Sequence, residues 1–155
     1  MITTTIERLE HLLDTIPTAL DKIHDAEFSY KPAPEKWSKK EILGHLVDSA
    51  ANNHQRFIRA RYEEVPFIVY DQDQWNVLNY YQQADKKELI VFWTLYNRHL
   101  LHLMKHIPDH ELGKECRTGK ADPVTLTWLI SDYLRHLEHH LLQIFDNPAV
   151  LQKKN

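Results

Sequence analysis

The sequence predicts an all-α protein, a single four-helix bundle spanning residues 1–155. Three observations carry that expectation. Apolar residues recur at helical spacing in four stretches of roughly 20 residues each. Only three glycines occur in 155 residues, which leaves little material for tight β-hairpins. Prolines and polar clusters fall between the four stretches, Pro17 excepted. Four helices of this length with long connections pack as a bundle. Periodicity alone leaves the order of up and down helices open.

Ile2, Ile6, Leu9, Leu12, Leu13, Ile16 and Leu20 mark a first helix over 3–22, which Pro17 should kink or end early. Residues 28–37 read as a connection punctuated by Pro32 and Pro34. Ser38-Lys39-Lys40-Glu41 matches a capping box and should start a second helix running to about Tyr62. Its inner face is Ile42, Leu46, Ala50, Asn53, Phe57 and Ala60, and Gly44, Ser49, Ala50 and Ala51 would let another helix approach. Residues 65–84 form a long connection with a short helix expected around 74–81, and such a length suits a lid over a site. A third helix follows over 85–107 with Leu89, Phe92, Tyr96, Leu100, Leu103 and Ile107 inward, stopped by Pro108. After a polar loop over 108–123, the fourth helix runs to about Phe145 and ends at Asn147-Pro148. No strands are expected.

Composition excludes several function classes. A formal charge of −3 offers no electrostatic argument for nucleic acid or an anionic membrane. No apolar run approaches the ~20 residues of a membrane span. The first residues carry acids early and lack an apolar block, so they do not read as a signal peptide. The single cysteine, Cys116, precludes an internal disulfide and suits a reducing cytoplasm, where the protein is expected. Any metal site must then use imidazole and carboxylate.

Eleven histidines make that question concrete. His136 and His140 lie four apart on the fourth helix and can point two imidazoles at one spot. At 100° per residue, His140 falls roughly 55° and His136 roughly 95° from the centre of the stripe Leu126, Ile130, Tyr133, Leu137, Leu141 and Ile144. His139 falls about 155° away and should be solvated. His102 and His106 on the third helix have the same spacing, but phase places them on the surface, with His99 nearer the core edge. On the second helix, phase does not separate His45 from His54. His45 shares its side with Ser49, Asn52 and Arg56, and Asp48 one turn away could serve as a hydrogen-bond acceptor behind a ligand.

Trp37-Ser38-Lys39-Lys40-Glu41-Ile42-Leu43-Gly44-His45-Leu46-Val47-Asp48 resembles the start of the second helix in the DinB-like metalloprotein superfamily. His136, His140, Gln143 and Ile144 resemble that superfamily's second signature, and the likeness extends through the Trp75 region. The resemblance implies an up-down-down-up bundle, often a homodimer. It also implies a divalent metal held by His45, His136 and His140. Zn, Ni, Fe, Mn or Co would each suit three imidazoles. Family members include thiol S-transferases, which take low-molecular-weight thiols such as bacillithiol, and mycothiol-dependent isomerases.

Three neutral imidazoles leave a divalent cation its full charge and an open position, where a thiol or water would ionise near neutral pH. Three functions follow: a metal-dependent S-transferase joining a low-molecular-weight thiol to a small electrophile, a non-enzymatic metal-containing bundle that binds a small molecule or a partner in a stress response, and a metal-dependent hydrolase. A thiol bearing a carboxylate would want a basic contact, which Arg56 or Arg59 could supply. Cys116 has no neighbour beyond Arg117 to lower its pKa and reads as incidental.

Overall fold

The structure, a computed structural model, describes residues 2–119, 122–145 and 147–152. Met1 and residues 153–155 of the expected domain lie outside the described residues. Four long helices, α1 (Thr3–Asp21), α3 (Lys39–Tyr62), α5 (Lys86–Lys105) and α6 (Leu126–Ile144), form the bundle. Two short ones, α2 (Asp25–Phe28) and α4 (Gln72–Leu78), lie in the connections. α1 packs on α5, α5 on α3 and α3 on α6, and α6 returns to α1. The first two long helices, α1 and α3, therefore sit diagonally opposite each other.

The ends of α3 and α6 follow from their caps. Ser38 Oγ accepts from Glu41 N at 3.1 Å while Glu41 Oε2 accepts from Ser38 N at 2.8 Å. Thr125 Oγ1 accepts from Trp128 N at the start of α6. Such caps contribute about 1 kcal/mol each and set where each helix begins, and so which residues share a face. All six expected inner residues of α3, and all six of α6, are buried.

Four local expectations are overturned. Pro17 does not end α1, which continues through it to Asp21. Its ring removes the N–H that would serve Leu13 O, and Arg98 Nη2 from α5 reaches that carbonyl at 3.4 Å and Asp14 Oδ1 at 3.0 Å. The inward face of α5 is rotated from the one periodicity suggests. Trp93, Asn97, Leu101 and Met104 join Leu89 and Leu100 in the core, whereas Phe92 is 53% exposed. Asn97 can be buried because it donates to Trp93 O and accepts from Tyr133 OH. Strands do occur: Glu115–Cys116 pairs antiparallel with Val124–Thr125, closing the loop ahead of α6. Gly44 admits a side chain instead of a helix. A Cβ there would lie 2.2 Å from the Tyr81 ring.

That contact docks the long connection onto α3. Asn76 Nδ2 donates to Glu41 O at 2.8 Å, and Asn79 Nδ2 and Tyr81 OH donate to Asp48 Oδ1 at 3.0 and 2.6 Å. Tyr80 turns the chain between α4 and Tyr81–Gln83 with a left-handed φ of 54°. This conformation costs a non-glycine residue about 1–2 kcal/mol, and the anchoring of Tyr81 offsets it.

Candidate metal centre

His45 stands two turns inside α3, counted from the Ser38 cap, and is fully buried. His136 and His140 stand one turn apart on α6, both half-buried. Because α3 and α6 pack together, all three rings meet. His136 Nε2 lies 3.1 Å from His45 Nε2 and 3.1 Å from His140 Nε2. Among the described residues this is the group of three or more His, Cys, Asp or Glu side chains that could hold a metal ion. Two nitrogens bound to one tetrahedral zinc at ~2.1 Å would sit about 3.4 Å apart, so the spacing fits a shared cation.

Electrostatics point the same way. Burial, then the neighbouring His136 and His140, pushes the His45 pKa down to about 3. Burial followed by His140 takes His136 down to about 4. Burial also lowers His140, against the opposing hydrogen bond to Gln143. All three are neutral at pH 7 and present lone pairs.

His140 Nδ1–H donates to Gln143 Oε1 at 2.7 Å, which leaves its Nε2 as an acceptor. His136 Nε2 faces two nitrogens at once, and a single N–H can bridge only one. A divalent cation takes all three lone pairs together, so the residues present fit such a group. The outer nitrogens suit this role. Ser49 Oγ lies 3.3 Å from His136 Nδ1, and Gln143 Nε2 donates to His139 Nε2 at 3.2 Å. Partners of this kind fix ring orientation and tautomer in metal sites. His45 Nδ1 is buried without a hydrogen-bond partner, and Trp37 packs on that ring at a centroid distance of 4.9 Å.

The remaining candidates lie elsewhere. His54, which phase could not separate from His45, contacts Tyr96 OH at 3.2 Å and the His99 ring at 5.1 Å. His99 is exposed, contrary to its expected place at the core edge, because α5 is rotated. His102, His106 and His139 are exposed. Asp48 does not back a histidine: its Oδ1 serves Tyr81 and Asn79, and its Oδ2 is buried with no partner. Burial raises its pKa to about 6 despite the Tyr81 hydroxyl. Arg56 donates to Ile68 O at 3.0 and 3.2 Å and Arg59 pairs with Glu63 at 2.6 Å, so neither waits for a carboxylate.

The sequence places Trp37 and Gln143 in the two stretches that carry the resemblance but gives neither a role at the centre. Gln143 lies three residues beyond His140, a spacing that places its amide beside that ring, and this signal was available. The tilted contact of Trp37 with His45 depends on how the 29–37 connection folds back. Gln82 determines that path, donating to Ser29 O at 2.6 Å and accepting from Ser38 Oγ at 2.7 Å.

Comparison with known proteins agrees with this architecture. The DinB superfamily model matches residues 2–144. YfiT of Bacillus subtilis (strain 168), named as a candidate metal-dependent hydrolase, is 23% identical over 141 residues, covering 90% of this chain and 79% of that protein. A Bacillus cereus (strain B4264) protein with the same designation is 24% identical over 145 residues, covering 93% and 83%. The solved YfiT structure, described as having an unusual four-helix bundle topology, superposes with a TM-score of 0.82 at 22% identity over 92% of this chain and 82% of that one. A mycothiol-dependent maleylpyruvate isomerase superposes at 0.77 with 13% identity, covering 97% and 66%. With a matching family model over almost its whole length, this chain belongs to the DinB superfamily.

Proposed function

We propose that the chain holds one divalent cation on His45, His136 and His140 and uses it to transfer a low-molecular-weight thiol to a small electrophile. The convergence of three neutral Nε2 atoms carries this reading. A divalent cation held there would supply a Lewis acid that makes a thiol or a water a nucleophile near neutral pH. The chain's own part is to keep the rings neutral by burial, to hold His140 through Gln143 and to shield His45 with Trp37. In the transfer, the S–H proton leaves to solvent and an S–C bond forms. A leaving group departs with its electron pair from a halide, whereas an epoxide or activated alkene opens onto oxygen or carbon and takes up a proton.

The likeness in fold to a mycothiol-dependent isomerase supports a thiol partner. The designation of the Bacillus relatives supports a second reading, hydrolysis with water in place of the thiol. Elemental analysis of purified protein comes first and should find one equivalent of metal. A panel of thiols with 1-chloro-2,4-dinitrobenzene should then show metal-dependent thiol consumption. No consumption above background would discard the transferase, and ester or amide cleavage in the same preparation would favour the hydrolase. The proposal includes a homodimer, supported by the apolar face that Val91, Phe92 and Leu95 of α5 present to solvent. Sedimentation that gives only an 18.5 kDa species would remove that part.

A further inference from the structure

A groove of about 510 Å³ opens between the 32–37 connection, the start of α3 and the first turn of α4, and a second hollow of about 400 Å³ adjoins it. Trp37, Pro32, Ile42 and Gln143 line both. Two of these four touch the triad: Trp37 packs on His45, and Gln143 accepts from His140. Trp37 and Gln143 thus form a wall shared by the groove and the histidine centre, and the groove's volume lies within the roughly 300–1,000 Å³ of small-molecule sites.

Its walls are held in place. Lys31 pairs with Glu41 at 3.0 Å and Lys39 with Glu27 at 2.6 Å, so two cations of the region are already neutralised. The exposed charges on the groove itself are Glu35, Asp73 and Lys36, two negative and one positive. Arg56 and Arg59, the two cations that the sequence offered for a carboxylate, are already engaged and do not line it. An anionic ligand would meet net negative charge here, whereas a flat apolar one finds an indole, a proline ring and an isoleucine.

We infer that this groove binds the organic substrate through a flat, uncharged, apolar portion stacked against Trp37, and brings its reacting carbon to the triad. The inference rests on reading the triad as the reaction centre. It assigns Trp37 to substrate binding and Glu35 with Asp73 to rejection of anions.

Two fluorescent probes that differ by one sulfonate test it: neutral N-phenyl-1-naphthylamine and anionic 8-anilino-1-naphthalenesulfonate. Each is titrated into the full chain, both metal-loaded and EDTA-treated. The neutral probe should bind at least about tenfold more tightly than the anionic one, a difference of 1.4 kcal/mol. Trp37→Leu should weaken the neutral probe by a similar factor. Glu35→Lys/Asp73→Lys, both at exposed positions, should raise affinity for the anionic probe with an unchanged circular dichroism spectrum. Equal affinity for the two probes overturns the inference, as does neutral-probe binding that Trp37→Leu leaves unaltered. If Trp37→Leu fails to fold, the charge-reversal variant decides, and unchanged anionic-probe affinity there overturns the inference. Probe binding needs neither metal nor thiol, so a negative thiol panel would not alter this result, nor would a negative probe titration alter the panel.

Discussion

Two helices of this bundle carry histidines four residues apart, and the pairs have different surroundings. The His136 and His140 ring centroids on α6 lie 4.5 Å apart, and those of His102 and His106 on α5 lie 4.3 Å apart. As helical geometry they are nearly equivalent. Around the α6 pair stand a third imidazole from α3, the Gln143 amide and the Ser49 hydroxyl. Around the α5 pair is solvent, and His106 Nδ1 is spent on His102 O at the end of its own helix, 2.7 Å away. Spacing makes half a site on any helix. Only a facing helix at the right height supplies the missing ligand and the burial that keeps the imidazoles neutral.

The largest expected effect breaks the comparison at its centre. His136→Ala/His140→Ala should abolish stoichiometric metal, whereas His102→Ala/His106→Ala should leave metal content unchanged, both read by elemental analysis. Metal retained by the first variant would remove the assignment. Next, Gln143→Leu takes away the acceptor that orients His140 and should weaken metal binding by about 10–100-fold in a chelator competition. An unchanged affinity would show that the His140–Gln143 hydrogen bond is incidental.

Packing around the triad gives the third effect. Gly44→Ala forces a methyl into the Tyr81 ring and should cost about 1–3 kcal/mol in denaturant unfolding. If Tyr81 simply swings aside at no cost, the docking of the 65–84 connection on α3 is looser than drawn.

The subtlest effect is in acid. In metal-free protein, folded His45 and His136 resist protonation down to about 3 and 4, while unfolded imidazoles take protons near their ordinary 6.5. The unfolded state therefore binds more protons between those values. Stability contributed by these groups is complete above about 6.5 and is lost as pH falls toward 4 for His136 and toward 3 for His45. The melting temperature of EDTA-treated protein should decline over that window, and His45→Gln should show a shallower decline. Asp48, raised to about 6 by burial, works in the opposite sense and blunts the slope without reversing the difference between the two proteins.

The bundle was largely legible because its signals are local. The apolar repeats of α3 and α6, the Ser38–Glu41 box and the Asn147-Pro148 stop act within a few residues, and each falls where the pattern puts it. α5 misled because Leu89, Ile90, Val91, Phe92 and Trp93 are apolar on every side, so no stripe stands out. Its burial was decided by partners such as Tyr133, which makes Asn97 an inward residue. Pro17 misled for a related reason, since its rescue by Arg98 comes from a position 81 residues away in the chain.

Half of the candidate centre lies on one helix, and there the 100° step alone was enough to set His136 and His140 apart from His139. The remainder is tertiary. Periodicity left His45 and His54 equivalent, and the choice between them was made by the height at which α3 crosses α6, which no spacing within α3 encodes. Trp37 and the groove beside it arise where two connections are tied together through Gln82, Lys31 and Glu41. Sequence by itself determined which residues could share a helix face. Only the packing of α3 on α6 brought His45 to the pair on α6, because contacts between residues 91 apart depend on how whole helices dock.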